Sequence, residues 1–161
     1  MNLNSSSIQG FDKLIKKLES LGVDAENTLY ESTKKNTKMV KNEAITLCSV
    51  DTEDLRKSIV DEVKRTEEGI SGIISTNSDH GPYVEFGTGK VGEDTPASDK
   101  YPGPISYKQD KWLGVIPDVG PRYIEGQPAK PFLYPALKNN EDKVIAGIKK
   151  DLEETIRKVV K

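Results

Sequence analysis

Single cysteine, histidine and tryptophan residues stand among 161. A lone thiol, Cys48, excludes an intramolecular disulfide. Cys48 and His80 together fall short of any zinc spacing of the Cys-x-x-Cys and His-x-x-x-His kind, and no metal or other cofactor is expected. A Cys48–His80 nucleophile pair is the one covalent arrangement available. The ordinary reading is a small buried residue at a helix end and a histidine in a turn. No stretch approaches the roughly 18 apolar residues of a membrane span. Met1-Asn2-Leu3-Asn4 and the serines after it lack the basic start and apolar run of a signal peptide. The expectation is a soluble protein made in the cytosol, without a membrane partner.

An excess of one charge is missing too. Net charge is −2, from 24 basic and 26 acidic residues. Residues 51–133 hold ten basic against fifteen acidic side chains, between two mildly basic ends. Phosphate gripping needs clustered Lys and Arg, so this balance disfavours a DNA-binding core, and the basic residues of the outer helices read as solvated faces. Gly87-Thr88-Gly89-Lys90 fails as a phosphate loop, because Val84 stands where the first Gly belongs and Val91 where Ser or Thr belongs. Pro117-Asp118 begins a nuclease-like pattern, but Glu125 is followed by Gly126-Gln127 and the lysine is absent. No catalytic residue is assigned, and the chain is read as no enzyme.

Apolar residues are also scarce, at 34% against 31% charged. A compact domain usually carries about 45–50% apolar residues, counting glycine. Either part of the chain is extended, or its core is completed by neighbouring copies. Length suits one domain over 1–161.

Helical spacing opens the chain. Phe11, Leu14, Ile15, Leu18 and Leu21 form one stripe. Gly22 is expected to break it, with Asp24 capping a second helix to Leu47. That helix has a thin stripe of Ala25, Leu29, Val40, Ala44 and Leu47, with Ser32 and Asn36 filling gaps. Residues 5–48 are thus helical. The period changes over 52–86, read as a small antiparallel sheet. Leu55–Glu68 and Gly69–Thr76 make a hairpin turning at Glu67-Glu68-Gly69, and Tyr83-Val84-Glu85-Phe86 a short third strand. Glu85, between apolar neighbours, is expected to pair with a basic residue, in this or a neighbouring subunit. Residues 87–131 read as a long Pro- and Gly-rich loop bearing Tyr101, Tyr107, Trp112 and Tyr123, with room for a strand at Lys111–Ile116. Over 135–160, Leu137, Val144, Ile148, Leu152, Ile156 and Val159 mark a C-terminal helix packed on the sheet. The class is α+β: two N-terminal helices, a small antiparallel sheet, a long loop and a C-terminal helix.

Three motifs in fixed order carry a resemblance. They are Val50-Asp51-Thr52-Glu53-Asp54-Leu55-Arg56-Lys57-Ser58-Ile59, then Tyr83-Val84-Glu85-Phe86-Gly87-Thr88-Gly89, then Gly126-Gln127-Pro128-Ala129-Lys130-Pro131-Phe132-Leu133-Tyr134-Pro135-Ala136-Leu137. Together they resemble the phage neck and tail-completion (head–tail joining) family named after gene product ten of the HK-type phages, over about residues 5–158. Glu53 departs from the Gly usual in the first motif. Asp51 or Thr52 would cap the turn before Leu55, and Gly87 and Gly89 would permit a sharp exit at positive φ. Leu55, Ile59, Tyr83, Phe132 and Leu133 are read as structural anchors.

The resemblance implies a virion protein of the neck or tail, assembled in the host cytoplasm. It would form a hexameric or dodecameric ring of identical copies at the head–tail junction or the top of the tail tube. Partners would be the connector or head-completion protein and the tail-tube or tail-terminator protein, with DNA passing through the channel without specific binding. Glu85, Phe86, Tyr101, Tyr107, Trp112 and Tyr123 would lie at subunit or partner interfaces. Two other classes stand beside it: a prophage-encoded regulatory module that binds one host protein, and a small metal-dependent nuclease built on scattered carboxylates.

Overall fold

The computed structural model describes residues 5–48, 53–95, 101 and 103–160. Element order is α1 (Ser5–Leu47), α2 (Glu53–Lys57), β1 (Ile59–Thr66), β2 (Gly69–Thr76), α3 (Gly81–Phe86), α4 (Gly89–Glu93), β3 (Trp112–Ile116), β4 (Gly120–Ile124), β5 (Gly126–Gln127) and α5 (Leu133–Val160). β1 pairs with β2 and β3 with β4, giving two two-stranded sheets. The class is α+β.

Several local expectations change. The two N-terminal helices are one, because Gly22 keeps helical geometry in open space and a mid-helix glycine costs only about 1 kcal/mol. Asp24 accepts a bond from Ser20 Oγ at 3.4 Å, one turn back, instead of capping a new helix. α2 intervenes before the first strand, which begins at Ile59. The cap expected at Asp51 or Thr52 lies outside the described residues. Tyr83–Phe86 is helical, not extended. Pro82 occupies the first turn of α3, where its fixed φ suits a helix, and the Val84 amide donates to the His80 carbonyl at 3.0 Å. The segment 87–131 holds α4, β3, β4 and β5. α5 starts two residues before Pro135, which sits in the first turn where no amide is required.

The chain divides into two compact units. The first comprises described residues of Met1–Lys38, Glu62–Ile73 and Glu141–Lys161. Here α1 and α5 run antiparallel, with Thr28 Oγ1 2.8 Å from Thr155 Oγ1 and Ser32 Oγ donating to Asp151 at 2.7 Å. The buried layer is polar: Ser32, Thr33, Asn36 and Thr37. Gly72 of β2 meets α1 closely; a Cβ there would lie 2.0 Å from Thr37 Oγ1. Arg65 of β1 stacks over the Tyr30 ring, 4.4 Å from its centroid, and reaches Glu26 at 3.1 Å.

The second unit comprises described residues of Met39–Asp61 and Ile74–Asn140. It buries Val40, Ala44, Cys48, Leu55, Ile59, Phe132 and Ala136. Lys41 pairs with Asp61 at 2.7 Å, and Arg56 donates twice to the Cys48 carbonyl, at 3.1 and 2.9 Å. Asn139 and buried Asn140 of α5 both donate to Glu43 of α1. In each unit, therefore, the side-chain bonds of α5 described above go to α1 and not to a sheet. Its inner face follows the expected stripe at Val144, Ile148, Leu152 and Val159, which are half-buried, whereas Leu137 and Ile156 are exposed and Ala136 and Asn140 are buried.

Candidate functional site

The second and third sequence motifs meet in the second unit. Glu85, only 4% exposed, sits in α3 and aims its carboxylate at the start of α5. Oε2 accepts the amides of Phe132 and Leu133 at 2.7 and 2.8 Å, and Oε1 accepts that of Tyr134 at 2.8 Å. A helix N-terminus leaves its first amides without intrahelical partners and carries partial positive charge, so an acceptor carboxylate suits it. Backbone amides take the place of the basic partner expected for Glu85. The strand alternation read for Glu85 gives way to a helical turn, and its partners lie 47 to 49 positions away.

Further bonds close the same junction. The Lys130 amide donates to the Val84 carbonyl at 2.8 Å, and Gln127 Nε2 to the Tyr83 carbonyl at 2.9 Å. Thr88 and Gly89 bridge to Gln127 and Gly126. At Gly126, with φ 124, a Cβ would lie 1.8 Å from the Thr88 carbonyl oxygen, so no other residue fits this crossing. Gly87 and Gly89 also take positive φ, at 73 and 61. The glycines of both motifs therefore serve close backbone approach, not phosphate binding.

The aromatic residues form a cluster beside it. Phe86 packs edge-on against Tyr101, with centroids 4.8 Å apart, and Tyr101 against Tyr134 at 5.8 Å. Tyr107 Oη donates to the Phe86 carbonyl at 2.9 Å; desolvation, then nearby Glu93, raises its phenol above the usual value. Trp112 is half-buried, with Lys108 Nζ 5.6 Å from its ring, and Tyr123 is exposed on β4. Phe132 is fully buried, Leu55 and Ile59 are buried, and Leu133 is half-buried. Tyr83, read as an anchor, is 53% exposed, because a helical turn sends it away from the side that holds Glu85.

These elements border an apolar cleft of about 1340 Å³. Its walls include Tyr83, Phe86, Ile105, Tyr107, Trp112 and Ile124, and Lys108 also lines it. Among the described residues no group of three or more His, Cys, Asp or Glu could hold a metal ion. Cys48 is buried, and desolvation raises its thiol above the ordinary value, so it is a poor nucleophile. His80 is exposed at the start of α3. No helix among the described residues is long and apolar enough to cross a membrane.

The β3–β4 hairpin is the feature the sequence concealed. Its register sets Leu113 opposite Tyr123 and Val115 opposite Pro121 on one face, with Trp112 opposite Ile124 on the other. The turn carries Pro117 and then Asp118 at φ 63, with the Val119 amide donating to the Ile116 carbonyl at 3.1 Å. The signal lay in the alternation of Trp112–Ile116; Pro121 and Arg122 disguised its partner.

Residues 12–87 match the family described as "Bacteriophage HK97-gp10, putative tail-component". The match contains the first motif and Tyr83–Gly87 of the second; Thr88, Gly89 and the third motif, which supplies the amides to Glu85, lie beyond it. No curated protein and no solved structure matches the chain.

Proposed function

From the match of residues 12–87 to the HK97-gp10 kind of phage tail component, we propose that this chain is a structural protein of the virion neck. Copies close into a ring, a hexamer or dodecamer, at the head–tail junction or the top of the tail tube. The connector or head-completion protein lies on one side and the tail-tube or terminator protein on the other. DNA passes through the channel without specific binding, as the acidic middle of the chain favours. The protein is not an enzyme; it works by presenting surfaces.

The observation that carries this reading, beside the family match, is the β3–β4 hairpin. It leaves Leu113, Val115 and Tyr123 exposed by 64%, 78% and 75% on a two-stranded sheet. Exposed apolar patches of this kind mark interaction sites, and a lone two-stranded hairpin is marginal in water. Trp112 and Tyr123 act in subunit contact. Phe86, Tyr101 and Tyr107 support that surface, and Glu85 positions it by fixing the start of α5.

Removal of the gene from a phage that encodes this chain tests the reading. The expected outcome is heads and tails that accumulate unjoined, with the chain present in purified wild-type particles. Intact infectious particles lacking the chain would overturn it.

A further inference from the structure

The two ends of α5 are held differently. At its start Phe132, Ala136 and Asn140 are buried, three amides bond to Glu85, and Asn139 and Asn140 donate to Glu43. From Val144 onward the helix lies on α1 by a lighter seam. Its pairs step evenly along both helices: Asn36 beside Gly147, Ser32 on Asp151, Thr28 on Thr155. Among the described residues two side-chain hydrogen bonds join 144–160 to α1, those of Asp151 and Thr155, at 2.7 and 2.8 Å. No apolar side chain described in this stretch is buried. Val144, Ile148, Leu152 and Val159 are half-buried, and Ile145 and Ile156 are exposed.

The α1 side of the seam is suited to water. Asn36 Nδ2 donates to the Ser32 carbonyl of its own helix at 2.8 Å, a bond that survives the departure of α5. The hydroxyls of Thr28 and Ser32 trade one hydrogen bond for another when solvent replaces Thr155 and Asp151, and such a trade changes the free energy little. α1 also keeps a second partner in the same unit: Arg65 of β1 stacks on Tyr30, and Gly72 of β2 meets Thr37. Once released, so short a helix as 144–160 is marginal in water and melts.

We infer that residues 144–160 are a releasable strap: they leave α1 together in one cooperative opening, while α1 and the start of α5 stay folded. Such an opening differs from the fraying of a chain end, which loosens gradually toward the terminus. Its boundary falls after the Glu43 contacts of Asn139 and Asn140. Its two states differ in apolar exposure, because release uncovers Val144, Ile148 and Leu152 at once. The strap works in this way whether or not the chain is a virion protein.

Native-state hydrogen exchange of the full chain, read residue by residue by NMR, tests the strap. Amides 148–158 bond to carbonyls inside it. They should share one protection level, about 100-fold below that of amides 139–143 and of amides 29–37 in α1. Ser32→Ala removes one crossing bond without adding bulk and should speed exchange of 148–158 about fivefold, with 139–143 unchanged. Three results would overturn the inference: protection of 148–158 equal to that of 139–143, protection that falls smoothly toward the C-terminus without a step, or a Ser32→Ala variant in which both stretches change alike. The wild-type profile decides by itself if the variant does not fold.

Discussion

The two units bury different chemistry. Among the described side chains, the seven buried apolar residues lie in the second, from Val40 to Ala136, and include the fully enclosed Phe132. The first, among its described side chains, buries Ser32, Thr33, Asn36 and Thr37 instead. Burial of a large apolar side chain stabilises by about 1.5–3 kcal/mol, whereas an internal hydrogen bond contributes about 1 kcal/mol net. A polar layer is tolerable only when its groups are satisfied, and no buried side-chain nitrogen or oxygen among the described residues lacks a partner. The second unit thus gains most from burial; the first gains alignment, since hydrogen bonds fix which turn of α1 faces which turn of α5.

The comparison can be broken at its strongest point. Phe132→Ala should cost about 3–5 kcal/mol in urea unfolding, as fully buried aromatic side chains do. A loss below about 1 kcal/mol would mean that the second unit does not depend on its apolar core. Next, Glu85→Ala strands three amides at the start of α5 and should cost about 3 kcal/mol; Glu85→Gln keeps one acceptor oxygen and should cost less. Equal and small losses in both would remove the carboxylate from its assigned role. In the first unit, Gly72→Ala forces a methyl group against Thr37 and should cost about 1–3 kcal/mol. Adding Thr37→Ala should recover part of that, a non-additivity measurable in a double-mutant cycle. Strict additivity would show that β2 and α1 are not in tight contact there.

The smallest effect concerns pH. The folded Cys48 thiol titrates above its ordinary value of 9.0 through burial. A raised acid pKa means the folded state holds its proton longer, so this group adds stability below the ordinary value and loses it as pH rises through the folded one. Stability should therefore decline at alkaline pH, and Cys48→Ala should flatten that decline. Rapid reaction of the native protein with a thiol reagent at neutral pH would contradict the burial.

Much of the fold was legible because its signals are local. The hairpin of β1 and β2 announces itself by alternation and a glycine at its turn, and α5 by its apolar period. What escaped was set from a distance. Tyr83-Val84-Glu85-Phe86 has the branched and aromatic character of a strand, and only amides some 47 residues away make it a helical turn. Gly22 looked like a stop, yet α1 continues because nothing local offers a competing structure. β4 hid behind Pro121, which is tolerated because that strand is an edge. The family resemblance was read from motifs whose physical meaning emerged only when two of them proved to be bonded to each other.

The three amides at Glu85 also fasten the two ends of a long excursion. Between Gly87 and Pro131 the chain leaves and returns through one junction of hydrogen bonds, and within the excursion Tyr107 bonds to Phe86 of α3 and Tyr101 packs on Phe86 and on Tyr134 of α5. Lengthening such an excursion adds little closure entropy, about 0.6 kcal/mol per doubling. A short peptide grafted at Val119-Gly120, the tip of the hairpin proposed as the contact surface, is accordingly expected to leave the subunit folded and to impair its assembly.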